Sequence, residues 1–175
     1  LDYWKRFSDV RVAASLDTYG QKAEYSRSGT DWTRIVNNRK IMIEECPNVY
    51  FEITPTVSIY SVHNLYQFHR SWVEEKLLDI NNIRVNILTH PRHFSITILP
   101  QDHKQRLSGL YTAYIQWLKD NNAHTHVIHA VNGIVQYMNS EDHTSLIPTF
   151  KQEIEKIDKI RNENFLEIYP EFNIL

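Results

Sequence analysis

Ser15 and Asp17 stand where an apolar run, VRVAASL, gives way to a turn containing Gly20, and Arg27 follows ten residues after Asp17 in EYSRSGTDW. A hydroxyl and a carboxylate at the end of a strand can hold a polar ligand by hydrogen bonds, and a planar guanidinium suits a carboxylate or a phosphate. Turn chemistry accounts equally well for Ser15 and Asp17, and Arg27 reads equally well as a surface arginine. The 9 histidines include His90 and His93 around Pro91-Arg92, and His124, His126 and His129 in one segment. On a helix His126 and His129 share a face, whereas His124 and His126 do not. A metal site needs three convergent ligands with support behind them, and no HExxH or comparable spacing occurs, so packing or solvation is the expected role of these side chains. Asp102 and Glu141-Asp142 precede helical runs and read as caps. No GxSxG elbow supports a nucleophilic serine. Cys46 lies between Glu45 and Pro47 at an expected helix end, where the acidic neighbour and the negative helix terminus oppose thiolate formation.

The elements that would position these groups follow from periodicity. Val10 to Leu16 reads as a strand covered on both faces, and a polar stretch leads from it to Gly29. Thr30 is the expected cap of a helix from Asp31 to Glu45, with Trp32, Ile35, Val36 and Ile43 in its apolar stripe. Val49 to Ser58 alternates like a strand, with Pro55 requiring an edge or a bulge. Asn64 to Leu78 returns to helical spacing, Ile83 to Leu88 makes a third strand, and Phe94 to Leu99 reads as a fourth strand or a buried extended segment. Helices are expected at Gln101 to Lys119, Val127 to Asn139 and Pro148 to Arg161, with Pro148 in a first turn.

Strands alternating with helices imply parallel pairing through crossovers, and such sheets present functional residues at the C-terminal ends of their strands. The first strand would then lack a neighbour on one side, and an apolar edge needs cover. Pairing with a second copy through Val10 to Leu16, a swapped segment, or the chain's own N-terminal residues would supply it.

Length and composition narrow the classes. The 175 residues are 42% hydrophobic and 23% charged with a net charge of −2, which suits one domain and excludes a disordered, collagen-like or disulfide-stapled chain. The charge balance gives no attraction to nucleic acid or to an anionic membrane. No run approaches the roughly 18 apolar residues of a membrane span, and the N-terminus lacks a signal-peptide pattern, so the cytoplasm is the default expectation. A first residue other than Met is expected of a processed start or of a piece of a longer protein. The 4 glycines leave little room for a phosphate loop, and the single cysteine excludes disulfides, CxxC zinc sites and a self-contained iron–sulfur cluster.

Four segments taken together resemble the radical S-adenosylmethionine superfamily, in its branch with a twitch-type C-terminal extension. They are VRVAASLDTYGQKAEYSRSGTDW (Val10 to Trp32), ECPNVYFEITPTVSIYSVHNLYQFH (Glu45 to His69), VNILTHP (Val85 to Pro91) and GIVQYMNSEDHTSLIPTFKQEIEKIDKIRNENFLEIYPEF (Gly133 to Phe172). The resemblance implies an α/β fold: a parallel βαβαβ half of a TIM-like (βα)6 partial barrel over residues 1–100, followed by a helical extension over 101–175. It implies strands four to six of the family's barrel, with Ser15 near the cofactor, Arg27 contacting its carboxylate and the Leu88 backbone near its adenine. It also implies S-adenosylmethionine and a [4Fe–4S] cluster as cofactors of the intact parent. The family's CxxxCxxC loop and its glycine-rich segment after the second strand are absent from this sequence, so no cofactor is expected on this chain alone and catalysis by it alone is not expected. The other reading is a non-catalytic α/β module, an oligomeric remnant that keeps the fold and has lost the chemistry.

Overall fold

In the computed structural model, which describes residues 1–173, the first apolar run forms strand β1 (Val10–Ala14). It pairs in parallel with β2 (Val49–Ile53), setting Val12 opposite Phe51 and Ala14 opposite Ile53. Contrary to the expectation of cover on both faces, β1 alternates: Val10, Val12 and Ala14 are half-buried, whereas Arg11 and Ala13 are exposed. Helix α2 (Trp32–Glu45) and helix α3 (Leu65–Glu74) pack on the inner face of this pair, where Trp72 meets both Phe51 and Trp32 at ring-centroid separations of 6.3 and 5.6 Å. The outer face carries Tyr50, with Arg11 over its ring at 5.7 Å.

Pro55 splits the expected strand at Val49 to Ser58, so that β3 is only Thr56–Val57. A proline has no N–H for a ladder, and its carbonyl serves instead, accepting from Asn86 N at 2.9 Å. The third expected strand, Ile83 to Leu88, is regular only at β4 (Asn86–Ile87), yet its ladder is longer than that label. Asn82 O accepts from Ile53 N, and Arg84, Asn86 and Leu88 N–H groups donate to Ile53, Pro55 and Val57 carbonyls, all at 2.9 Å. A donor every second residue is the pattern of a parallel pair. The strand segments therefore lie side by side as β1, then β2 and β3, then 82–88, and among the described residues they do not close into a barrel.

Two local expectations are corrected. Asp31, rather than Thr30, caps α2, its side chain accepting from Arg34 N. Within the stripe of α2, Ile43 faces out at 38% exposed. Its place on the inner face is taken by Arg39, whose guanidinium lies 4.1 Å from the Phe51 ring centroid and whose Nε donates to Leu77 O at 2.7 Å. The polar stretch before Gly29 contains a further helix, α1 (Gly20–Ser26). Only Ala23 and Tyr25 of α1 are buried, too few apolar positions to show a period. Phe94 to Leu99 is not a strand: it runs from the end of one 3₁₀ turn, Arg92–Phe94, through a second, Ile96–Ile98, with Ile96, Ile98 and Leu99 fully inside.

Helices α4 (Gln101–Asp120) and α5 (Thr125–Ser140) form an antiparallel pair across a short turn in which Asn122 takes a left-handed conformation, φ 56°. Their buried positions, Leu107, Tyr111, Tyr114, Leu118 and Val127, Val131, Ile134, Met138, repeat with the same four-three-four spacing. That spacing keeps each stripe on one face of its helix. Lys104 closes the far end of the pair, its Nζ donating to Glu141 O at 2.8 Å. Helices α6 (Ile147–Arg161, with Pro148 in its first turn) and α7 (Phe165–Ile168) complete the chain. Tyr25 ties α1 to α6 by donating to Asp158 at 2.7 Å, and Asp158 also caps α7 through Phe165 N.

The N-terminal residues do not run along β1. Trp4 and Phe7 carbonyls accept from Asn48 Nδ2, and Lys5 pairs with Glu45 at 3.0 Å, so this segment docks on the end of α2. The outer edge of β1 has no strand beside it among the described residues.

Candidate functional site

Of the residues singled out from the sequence, Ser15 and Leu88 lie at the C-terminal ends of strand segments, and Arg27 lies at the end of α1. Ser15 follows β1 directly and Leu88 follows β4 directly. Successive side chains alternate across a sheet, so Ser15 continues the exposed series Arg11 and Ala13, and Leu88 continues Arg84 and Asn86. Ser15 is exposed, with its Oγ 3.5 Å from the Thr54 hydroxyl, which in turn donates to Ala14 O at 3.4 Å. Leu88 is half-buried, and its N–H is committed to the Val57 carbonyl.

Asp17 has a structural task that turn chemistry alone does not describe. Its Oδ1 accepts from Thr56 N at 2.7 Å, and its Oδ2 accepts from Arg27 Nε at 2.9 Å, with Nη2 also at 2.9 Å. One carboxylate thus joins the end of β1, the start of β3 and the end of α1. Thr56 is held from its other side too, since its carbonyl accepts from Ser61 Oγ at 2.9 Å. The burial of the pair is asymmetric: the Asp17 side chain is 13% exposed and Arg27 is 46% exposed. Asp17 therefore fixes the guanidinium from the inside while its outer half faces solvent at the rim of the strands. Next to this clamp Thr18 is fully buried, and its hydroxyl has no hydrogen-bond partner.

Sequence reasoning missed Lys22, which lies just behind this rim on α1. Its ammonium donates to Glu171 Oε1 at 2.7 Å and Asn64 Oδ1 at 3.1 Å, and sits 5.1 Å from the Tyr169 ring centroid. Tyr169 OH in turn donates to Lys22 O at 3.0 Å. Lys22 and Glu171 are 149 residues apart, and no local pattern announces such a pairing. The effect is a clasp that holds the C-terminal segment against α1 and the loop entering α3.

The histidines divide between solvent and packing. His124, His126 and His129 are exposed, and among the described residues no three His, Cys, Asp or Glu side chains converge for a metal ion. His69 is fully buried against the Tyr114 hydroxyl, 2.6 Å from its Nδ1, and burial pushes its pKa down to about 4. Cys46 is 1% exposed and caps the end of α2. It precedes β2 and so lies at the end of the sheet away from Ser15, Arg27 and Leu88.

Against protein-family models, curated proteins and solved structures, the chain has no match.

Proposed function

We propose that the rim formed by Ser15, Arg27 and Leu88 is one side of a site for S-adenosylmethionine, and that the chain is the cofactor-binding half of a TIM-like partial barrel from a radical S-adenosylmethionine enzyme, inactive by itself. One observation carries the reading. Ser15 and Leu88 stand at the same end of parallel strand segments separated by β2 and β3, and Asp17 holds Arg27 beside the first of them, on the side where barrels and open α/β sheets keep their ligands.

The donor set suits the amino-acid and nucleoside parts of this cofactor. Asp17 orients Arg27 and leaves its outer half exposed, so the fork can take a carboxylate without leaving its internal partner. Ser15 offers a hydroxyl at the same rim, and the Leu88 backbone is the part that would lie near the adenine. The same residues do not fit a [4Fe–4S] cluster, which takes about three or four thiolates: the one cysteine is buried at the other end of the sheet. In the intact parent, S-adenosylmethionine would supply the 5′-deoxyadenosyl group for hydrogen-atom abstraction, and the task of this chain's residues would be to hold and orient it.

The test begins with the longer reading frame around this segment. In this reading a CxxxCxxC loop stands about 100 residues before Leu1, roughly three βα units at the barrel's usual repeat length. Reconstituted anaerobically with iron and sulfide, that longer protein is expected to release 5′-deoxyadenosine. Arg27→Ala should raise KM for S-adenosylmethionine about tenfold, the worth of one charge-assisted bond, with iron content unchanged. A reading frame without the cysteine loop, or a reconstituted protein that does not cleave the cofactor, overturns the proposal.

A further inference from the structure

A separate recess of about 400 Å³ opens between the loop entering α3, the first turns of α4 and the C-terminal 3₁₀ turn at Pro170–Phe172, with His63, His103, Arg106, Leu107, Leu110 and Glu171 among its walls. His103 is 2% exposed, and neither of its ring nitrogens has a hydrogen-bond partner. The Nε2 of His63 is equally unpaired, and the two rings stand edge to face with centroids 6.1 Å apart. Phe172 packs on both rings, 5.0 Å from His63 and 6.5 Å from His103. Folded proteins leave very few buried polar atoms without partners. Three imidazole nitrogens in that state around one recess call for a partner from outside the chain.

The charges around the recess restrict what that partner is. Glu171 is neutralised by Lys22 at 2.7 Å. Arg106 pairs with Asp102 at 3.1 Å, but both side chains are mostly exposed, at 60% and 66%. Exposed helix pairs of this kind are weak, so Arg106 is free to exchange Asp102 for a ligand. Burial lowers the pKa of both histidines, that of His63 to about 4 against the opposing pull of Glu171, and keeps the rings neutral at pH 7. A neutral imidazole has one N–H donor to offer. The terminal torsion of histidine is broad and roughly two-fold, so turning a ring over exchanges which of its atoms face the recess. Among the described residues a cation finds no three convergent ligands here.

We propose that this recess binds the oxoanion group of a small organic acid, a carboxylate or a phosphate, held by the Arg106 guanidinium and by N–H groups of His63 and His103, with the rest of the molecule against Leu107 and Leu110. The site does not depend on the cofactor reading of the strand-end rim, and its test needs no activity.

Histidine side-chain NMR on the ¹⁵N-labelled chain reads both rings directly. Sodium phosphate and sodium succinate are titrated separately at constant ionic strength with chloride. Saturating shifts of His63 and His103 together, with both rings becoming easier to protonate, are expected with at least one probe. Response to phosphate alone assigns a phosphoryl ligand, and response to succinate assigns a carboxylate. Arg106→Gln, a substitution at an exposed position, should weaken binding about tenfold, the usual value of one charge-assisted bond, while Arg34→Gln on α2 should leave it unchanged. Absence of shifts with both probes, equal affinity in Arg106→Gln, or a response to stoichiometric Zn²⁺ but to neither anion overturns the proposal.

Discussion

Helix α2 and the α4–α5 pair contribute to one core on different terms. None of the 14 residues of α2 is fully buried. Helix α4 buries six side chains and α5 buries four, in matched stripes that meet along the pair. Ile41 and Ile43 of α2 stand 42% and 38% exposed, as does Tyr50 on the sheet beneath at 43%. The helical region is built as an interior, and the β1–β2–α2 region as a layer with one face and one edge open. The difference separates stability from the proposed ligand contact, because the open layer carries Ser15 after β1 and Arg27 after α1 whereas the interior carries the packing.

The largest expected effect tests that division. Leu118→Ala and Ile134→Ala should each cost about 2–5 kcal/mol, the range for truncating a fully buried aliphatic side chain. Ile41→Ala and Ile43→Ala should stay within about 0.5 kcal/mol of the parent, as exposed substitutions do. Urea unfolding curves measure both. Comparable losses in α2 would mean that its outer face is covered in solution, and the contrast between the two regions would fail.

Acid should strike the interior next. His69 lies against Tyr114 and Trp117, and its pKa is down at about 4 because burial disfavours the charged ring. The unfolded chain binds its proton near pH 6.5. The unfolded state therefore holds more protons between these values, and stability falls as pH drops from 6.5 toward 4. Each tenfold difference in proton affinity between the two states is worth about 1.4 kcal/mol, so the loss from His69 approaches about 3 kcal/mol when complete. His63 acts in the same direction. Urea midpoints measured from pH 7 to pH 4 should decline progressively, and His69→Gln should flatten the decline. A midpoint constant across that range would remove the electrostatic half of the contrast.

The same division decides what is legible in the sequence. The stripes of α4 and α5 are visible because packing imposes a strict period on buried positions. In α2 the period is looser, and Ile43 reads as inward because its type is apolar, although Arg39 holds the inner place with its stem and its cation–π contact to Phe51. Helix α1 is invisible for want of apolar residues: its anchors are Tyr25 with Asp158, and Lys22 with Glu171, both fixed by partners more than a hundred residues away. The strand ends are legible through turn chemistry: Ser15 and Leu88 directly follow β1 and β4, and Arg27 is tied to the turn after β1 by Asp17. The clamp of Asp17 on Thr56 is not legible, since it depends on which strand lies beside β1. His63 and His103 give no sequence signal for a similar reason: 40 positions separate them, and only the approach of α4 to the loop entering α3 makes them neighbours.

The smallest stability effect belongs to the open layer and sharpens the contrast most. The free edge of β1 presents unpaired backbone groups, and natural sheets protect such edges with charge, cover or another strand. Arg11 supplies some charge on the exposed face, but Ala13 supplies none, and the N-terminal segment is engaged at the end of α2 instead. The chain is therefore expected to associate with a second copy through Val10 to Leu16, giving a sedimentation coefficient that rises with concentration. Ala13→Lys places a charge at an exposed position of β1, so the urea midpoint of the monomer should move by no more than about 0.5 kcal/mol, while the concentration dependence should disappear. Leu118→Ala should do the reverse, lowering stability and leaving association intact wherever the chain stays folded. A chain that sediments as a monomer at every concentration would show that the edge is protected by its own twist and charge. Loss of folding in Ala13→Lys would show that β1 is interior after all, and the distinction between the two regions would dissolve.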